Sequence, residues 1–259
     1  MTIITVFNQK GGVGKTTTSL NLAAAMAARG QHPLLIDLDP QSHLTRTLGV
    51  SIDRSEESIY AFFQRSRTLA DLVRTAPNGI RLIPAHLDLA KADAVFGKSY
   101  NIVTRLAGAL RAETFGSGEE PVVIDCSPML GVLSLNALFA CDLVLVPIST
   151  DFLALNGASQ VEKTLKALEH VLKRRLPRRY LLTRFDRRRR MAREILEAAR
   201  RQFGEDVCAT TICEDVRVAE SPALMKSVFE HAPNCRGARD YLAFLEELLN
   251  TGFAREKAA

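Results

Sequence analysis

Apolar positions along the chain fall into two alternating patterns. Near-continuous apolar runs, many of them β-branched, are separated by longer stretches in which apolar residues recur at helical spacing. Runs without polar alternation are typical of strands that are buried on both faces, as in a parallel sheet. The pattern predicts strands at 2–8, 33–39, 80–85, 121–127, 143–149 and 179–185.

Helices are predicted between these strands. The clearest candidates cover 15–29, 157–175, 191–203 and 237–250, and leucines line one face of the last. This alternation predicts an α/β fold, with a doubly wound, mostly parallel sheet flanked by helices. Only 115–121 has the composition of a loop, and no stretch is long enough to be a linker. We therefore expect a single domain over 1–259.

Composition narrows the class of protein. A chain of 259 residues, 47% of them hydrophobic, can bury a substantial core without disulfides. No apolar run approaches the roughly 20 residues that cross a bilayer, and the first residues already read as a strand, not as a signal peptide. The five cysteines form no CxxC pair, which is typical of reduced thiols. We expect a cytoplasmic protein.

Positive charge is concentrated in one segment. Between Lys173 and Arg201 the chain has thirteen Lys or Arg and three acids, so this segment carries +10 while the whole chain carries +5. Four consecutive arginines stand at 187–190, and few aromatic residues accompany them. Cations without stacking residues suit the phosphates of duplex DNA. The alternatives to DNA binding are that these charges are simply solvated at the start of a helix or that they form an ionic interface with another protein.

A glycine-rich stretch, "GGVGKTT" at 11–17, follows a predicted strand and precedes a predicted helix. That context defines a phosphate-binding loop, in which backbone amides and the helix N-terminus face phosphate oxygens. Lys15 is expected to reach the β- and γ-phosphates of a nucleotide, and the Thr16 hydroxyl to hold Mg²⁺. The expected nucleotide-binding residues are Lys10, Gly11, Gly12, Val13, Gly14, Lys15, Thr16 and Thr17.

Three aspartates at predicted strand ends complete this candidate site. Asp125 ends the strand at 121–127 and is expected to bind the magnesium ion together with Thr16 or through a water. Asp39 precedes Pro40, which stops its strand, and is expected to orient or deprotonate the attacking water. Asp37 has two interpretations, an outer magnesium ligand or a support for the turn that carries Asp39.

Lys10 exceeds what a loop for one nucleotide needs, and a resemblance accounts for it. "KGGVGKTT" at 10–17, "DLDPQ" at 37–41, "VVIDCSP" at 122–128 and "VPISTDFLALNG" at 146–157 resemble the ParA/Soj family of deviant Walker-type ATPases. These proteins partition DNA and position cellular cargo. Residues 181–188, 216–222 and 237–249 also resemble that family, so the similarity extends over nearly the whole chain.

The resemblance implies a mechanism and partners. Lys10 would cross a homodimer interface to contact ATP on the partner subunit, and Lys10, Lys15 and Asp39 would carry catalysis with ATP and Mg²⁺. The ATP dimer would bind non-specific double-stranded DNA on the nucleoid, and a ParB-like or cargo-adaptor protein would stimulate hydrolysis. Chromosome, plasmid, chemoreceptor array and carboxysome-like body all remain compatible cargoes. The arginines implied in DNA binding are Arg188 and Arg217, with Arg187, Arg189, Arg190 and Arg193 widening the surface.

The chain departs from the family pattern at several positions. Ser42 and His43 replace Gly-Asn, Ser127 replaces a proline, and Cys213 replaces a proline near the adenine. These changes leave the phosphate and metal groups intact, so we expect them to alter the hydrolysis rate or the base contacts.

Three rival functions have distinct signatures. A metallocluster or electron-transfer ATPase of the iron-protein type shares the Lys10-type loop but needs cysteines that meet across a dimer axis. A MinD-like membrane-positioned ATPase needs a basic amphipathic helix at the C-terminus, whereas the tail here is mixed in charge and weakly apolar. A catalytically idle DNA-binding scaffold has no reason to retain the lysines and aspartates of the loop and strand ends.

Overall fold

The protein builds a seven-stranded sheet with the order β3-β4-β2-β5-β1-β6-β7. The computed structural model describes residues 1–98, 101–112, 120–151 and 153–251. The strands are β1 (Ile3–Val6), β2 (Leu34–Asp37), β3 (Arg74–Thr75), β4 (Arg81–Ile83), β5 (Val122–Asp125), β6 (Leu143–Ser149) and β7 (Arg178–Thr183). All neighbouring pairs are parallel except β3 and β4. The predicted doubly wound, mostly parallel sheet is confirmed.

Helices cover both faces of this sheet. They are α1 (Lys15–Ala28), α2 (His43–Thr47), α3 (Ile59–Phe63), α4 (Leu69–Leu72), α5 (Ala92–Phe96), α6 (Arg105–Ala112), α7 (Val132–Ala140), α8 (Ala154–Leu172), α9 (Arg190–Phe203), α10 (Val216–Glu220), α11 (Val228–His231) and α12 (Arg236–Asn250). The four predicted helices correspond to α1, α8, α9 and α12, with ends shifted by up to three residues. Among the described helices, none combines the length and apolar character that a membrane span requires.

Two hydrophobic clusters lie against the two faces of the sheet. Successive residues of a strand point to opposite faces, so Leu34 and Ile36 join one cluster while Leu35 joins the other. The central strands β1, β2, β5 and β6 are therefore mostly apolar on both faces, as the near-continuous runs in the sequence require.

The region between β2 and β5 differs most from the sequence prediction. It contains several helices of four or five residues and the short antiparallel strand β3, none of which the periodicity indicates. Helices this short owe their stability to packing, so their sequences carry little helical signal. The loop predicted at 115–121 lies largely outside the described residues, which resume at 120.

The outer edge of β7 is covered by residues 207–214. Cys208 N donates to Tyr180 O at 2.9 Å, Ile212 N donates to Leu182 O at 2.8 Å, and Phe185 N donates to Ile212 O at 2.9 Å. This extension carries the chain from the sheet edge to the rim of the site described next.

Candidate nucleotide-binding site

The carboxyl ends of three central strands meet at one edge of the sheet. β5 lies between β1 and β2, with Asp125 opposite both Val6 and Asp37. The glycine-rich loop follows β1, and the turn with Asp39 follows β2. The crevice outside the carboxyl ends of parallel strands is where open α/β sheets bind ligands. A cavity of about 1240 Å³ opens here and is lined by Lys15, Thr16 and Asp39.

The glycine-rich loop has the backbone that phosphate binding needs. Gly12 and Gly14 have φ angles of 73° and 89°, in the left-handed region that side chains avoid. The loop is tied to β7, because Thr183 Oγ1 donates to Val13 O at 2.9 Å. No acidic residue lies in the first turn of α1, so its positive end is available to an anion.

Lys15 is buried, with 7% of its surface exposed, and its Nζ donates to Lys10 O at 2.9 Å. Burial lowers the pKa of this amine, and the carboxylates of Asp125 and Asp39 partly offset that shift. A phosphate beside Nζ would act in the same direction as these carboxylates and favour the charged amine.

Asp125 has an unsatisfied oxygen that suits a divalent cation. Ser19 Oγ donates to Oδ1 at 2.9 Å, whereas Oδ2 is buried and has no hydrogen-bond partner among the described residues. Burial and then the Asp37 carboxylate raise the pKa of Asp125 to about 8, although the hydroxyls of Thr16 and Ser19 act against the shift. Mg²⁺ prefers carboxylate and hydroxyl oxygens as ligands, so the oxygens of Asp125 and Thr16 suit this ion.

Both carboxylate oxygens of Asp37 accept hydrogen bonds from residues that follow it in the chain. Its Oδ1 accepts from Asp39 N at 3.0 Å, and its Oδ2 accepts from Thr45 N at 3.0 Å and Thr45 Oγ1 at 2.7 Å. Burial raises the pKa of this carboxyl to about 6. Of the two interpretations from the sequence, the geometry favours support of the turn. The sequence offers no signal for Thr45 as the partner.

Asp39 lies in that turn, half-buried and facing the cavity. One carboxylate oxygen accepts from Gln41 N at 2.9 Å, which holds the side chain, and the other oxygen accepts no backbone bond from the described residues. Ser42 follows with a φ of 54°, a conformation that glycine adopts more easily, and His43 and Ser127 line the same cavity. Cys213 lines it too, so all four departures from the family pattern lie at this turn or on the cavity wall.

Lys10 lies at the edge of the loop and pairs with Asp151. Its Nζ donates to Asp151 Oδ1, and the same carboxylate accepts from Ser149 Oγ at 2.5 Å and Leu153 N at 3.2 Å. Burial raises the pKa of Asp151, but the hydrogen bonds from Lys10 and Ser149 lower it below its ordinary value overall. Asp151 lies in the family-like stretch 146–157, but nothing in the sequence pairs it with Lys10, so reading the chain alone missed this contact.

The candidate DNA-binding arginines stand at the rim of the cavity. Arg187, Arg188 and Arg189 line it and precede α9, while Arg190 begins α9 and Arg217 lies in α10. Four of these five are paired with carboxylates: Arg188 with Asp186, Arg189 with Asp186 and Glu214, Arg190 with Glu194, and Arg217 with Asp215. Arg193 Nη1 donates to Arg187 O at 3.0 Å. Sequence reasoning counted the charges but did not identify these pairs.

The cysteines are placed as buried thiols. All five are free and buried, and burial raises the pKa of Cys126 well above its ordinary value. Cys213 contributes to the cavity wall beside Ile212. The described residues contain no group of three or more His, Cys, Asp or Glu side chains arranged to hold a metal ion.

Comparisons with known proteins agree with this geometry. A family described as an AAA domain matches residues 1–177. The chromosome partitioning protein ParA of Caulobacter vibrioides is 35% identical over 259 residues, which cover 99% of this chain and 97% of that protein. The chromosome-partitioning ATPase Soj of Thermus thermophilus is 39% identical over 247 residues, covering 95% of this chain and 94% of that one.

A solved structure from Mycobacterium smegmatis extends the similarity to three dimensions. That protein, called cobyrinic acid a,c-diamide synthase and bound to ADP and magnesium, is 30% identical with a TM-score of 0.84. The match covers 98% of this chain and 96% of the other. The likeness therefore extends over the whole sheet.

Proposed function

The chain belongs to the ParA/Soj family of P-loop ATPases, and on that premise we propose that its site works as an ATP-driven dimerisation switch on DNA. The observation that carries the proposal is the convergence of Lys15, Thr16 and Asp39 on one cavity, with the unsatisfied Oδ2 of Asp125 behind them. A partitioning ATPase needs such a site, and the switch adds three finer elements: a dimer, a DNA surface and a stimulating partner.

The phosphates of ATP would be held by the loop from Lys10 to Thr17. Backbone amides around Gly11, Gly12 and Gly14 and the start of α1 would bind the β-phosphate. Lys15 would move its Nζ from Lys10 O to the β- and γ-phosphate oxygens. Thr16 and Asp125 would hold Mg²⁺, with Asp37 acting through the turn it supports; the ion, when bound, neutralises charge that develops on the phosphates.

Asp39 would orient the attacking water. It is half-buried, faces the cavity and is held by the Gln41 amide and the Asp37 carboxylate through its own backbone. A carboxylate in that position can accept a proton from a water in line with the γ-phosphate. Catalysis would then consist mostly of positioning and of charge stabilisation by Lys15 and by Lys10.

Lys10 would supply its charge to the partner subunit. Within one chain its amine is held by Asp151, at the rim of the loop and not at its own phosphate site. In the dimer it would exchange this carboxylate for phosphate oxygens bound by the other chain, in the manner of an arginine finger. Dimerisation would thereby depend on the γ-phosphate.

The DNA track would be the arginine surface formed by Arg187, Arg188, Arg189, Arg190 and Arg217. Arg187 is exposed, and the other four side chains are 50–91% exposed. Cations of this kind contact backbone phosphates without reading bases. We propose a cytoplasmic, nucleoid-associated protein that does not use a membrane. A separately encoded ParB-like or cargo-adaptor protein would stimulate hydrolysis and release.

Binding of a random-sequence duplex tests this function. The protein is titrated with the duplex in ATP and in ADP, each with Mg²⁺, at two or more salt concentrations. The switch predicts binding in ATP that weakens steeply with salt and is largely lost in ADP. Equal binding in both nucleotides would make the arginine surface a constitutive patch, and no binding in either would remove DNA as the track.

A further inference from the structure

Two of the arginines at the cavity rim are held by the same local device, although they lie on different segments. Asp186 and Arg188 are two residues apart, and so are Asp215 and Arg217. In each pair the arginine donates Nε to one carboxylate oxygen and Nη2 to the other. The distances are 3.1 and 3.3 Å for Arg188, and 2.8 and 3.0 Å for Arg217. We call each of these two pairs an Asp-x-Arg clamp.

Each clamp is also fixed to the backbone. Arg188 N donates to Asp186 Oδ1 at 3.0 Å, and Arg217 N donates to Asp215 Oδ1 at 3.1 Å. The aspartate therefore holds both ends of the arginine, its amide and its guanidinium. Asp215 also accepts from Gly237 N at 3.2 Å, which anchors the second clamp to α12.

The two clamps lie side by side in the fold. Phe185 and Cys213 form a parallel bridge, and each clamp begins within two residues of it. Arg189 joins the segments further, with Nη2 at 3.0 Å from Glu214 Oε2. The Arg188 side chain is 91% exposed and that of Arg217 is 50% exposed, whereas the aspartates are 16% and 4% exposed. Each clamp thus places its acid inside and its guanidinium outside.

A guanidinium bound through Nε and Nη2 keeps donors for a second acceptor. Nη1 and the outer hydrogen of Nη2 point away from the carboxylate, in the fork that matches a phosphate. A free arginine loses much rotamer freedom when it binds, whereas a clamped one has lost it already. The Arg188 bonds hold the pKa of Asp186 below its ordinary value, so this acid stays charged at neutral pH.

We propose that Asp186 and Asp215 are positioning residues that pre-orient Arg188 and Arg217 as a pair of phosphate-binding groups for duplex DNA. The inference rests on the proposed DNA track and adds that two acids strengthen it. Net charge alone predicts the opposite effect on DNA affinity, because a carboxylate near a phosphate repels it. The two effects are therefore separable by experiment.

The test uses the full chain with ATP, Mg²⁺ and a fluorescent random-sequence duplex over a range of salt. Asp186→Asn keeps an oxygen for the Arg188 amide but loses the two-oxygen contact with the guanidinium. We expect its affinity to fall about two- to tenfold, the cost of ordering one long side chain. The salt dependence should stay as in the wild type, because the cation remains, whereas Arg188→Ala should lower the slope by about one for each subunit of the bound dimer. Asp215→Asn tests the second clamp in the same way, and thermal melting checks that each variant is folded.

Two controls separate positioning from charge and from folding. Glu194→Gln removes an acid that pairs with Arg190 along α9 without holding its backbone, and it should leave binding unchanged or tighten it. Asp186→Asn added to Arg188→Ala should weaken binding no further, since the acid acts through that arginine. Tighter binding by Asp186→Asn, or an undiminished loss in the Arg188→Ala background, would overturn the inference while the DNA track stands. A wild-type protein that does not bind the duplex would overturn the track itself.

Discussion

At the scale of single residues, two aspartates of one turn have different roles because their surroundings differ. Asp37 is fully buried and uses both oxygens on Thr45 and the Asp39 backbone. Asp39 is half-buried and faces the cavity. The residue pattern Asp-x-Asp places both on one side of the chain, but only the partners show which one is free to meet a ligand.

Replacing Asp39 with alanine is expected to abolish ATP turnover while nucleotide binding remains. The loop, Lys15 and Thr16 hold the phosphates without it, whereas a positioned carboxylate contributes on the order of a hundredfold or more to proton transfer. Phosphate release and nucleotide titration measure the two properties. Glu246→Ala serves as control, because this exposed acid pairs with Arg29 at the far end of α1. Normal hydrolysis by Asp39→Ala would show that another group orients the water.

Asp125 makes stability depend on pH. Its folded-state pKa of about 8 lies above the ordinary 3.8, so the folded protein binds a proton that the unfolded chain releases between these values. Stability from this group is complete below pH about 4 and is lost as pH rises toward 8. We expect Asp125→Asn, without metal or nucleotide, to flatten the fall in unfolding free energy between pH 5 and 8. Urea titrations in chelator measure it; a parallel fall in both proteins would contradict the assignment.

At the scale of elements, α8 and β7 are joined by a buried ionic contact. Arg178 begins β7 with a side chain only 4% exposed, and it lies 2.6 Å from Glu169 and 3.3 Å from Glu162 of α8. Glu162 also accepts from the Tyr180 hydroxyl. β7 holds Thr183, whose hydroxyl bonds to the phosphate loop. This contact therefore fixes the strand from which the loop is braced.

Arg178→Ala is expected to destabilise the protein by about 3–5 kcal/mol, because it leaves two partly buried carboxylates without their cation. Lys166→Ala is the matched control. Lys166 pairs with the same Glu162 at 3.2 Å but is 66% exposed, so its loss should cost about 0–1 kcal/mol. Urea unfolding compares the two directly. Equal losses would mean that burial does not distinguish these contacts.

At the scale of the whole molecule, the site is open to the surface. The phosphate loop and Asp39 line a cavity of about 1240 Å³. The exposed side chain of Met129 also lines this cavity, and its neighbour in the chain, Leu130, is exposed as well. In the dimer proposed above, a second copy over this face would close the cavity and bring its own Lys10 to the phosphates. Excluding water there strengthens every charge interaction in the site.

Lys10→Ala is expected to lose the ATP-dependent dimer and, with it, DNA binding in ATP, while each chain retains nucleotide through Lys15. Sedimentation with a non-hydrolysed ATP analogue gives the mass, and the duplex titration gives the DNA affinity. Lys166→Ala is again the control, since it removes an exposed lysine on α8. A dimer that persists in Lys10→Ala would place the contact between subunits elsewhere.

Some features follow from the sequence because their causes are local. Buried runs without alternation define parallel strands, and glycines at 12 and 14 allow the positive φ angles of the loop. Parallel strands bring their carboxyl ends to one edge, so the meeting of the loop with Asp39 and Asp125 also follows once the strands are known. The sheet and the edge at which the loop meets these aspartates therefore follow from the sequence.

Other features depend on which distant segments touch, and only the tertiary structure decided them. Lys10 meets Asp151 and Arg189 meets Glu214 because loops after separate strands converge at one rim. Thr45 donates its hydroxyl to Asp37 from α2, a helix of five residues that is stabilised by packing. The periodicity of the sequence does not predict such contacts, because an ion pair depends on which residues are close in space and not on their separation along the chain. The sequence by itself determined the fold and its phosphate loop. Only the tertiary structure decided which charged side chains form ion pairs and which are exposed to solvent.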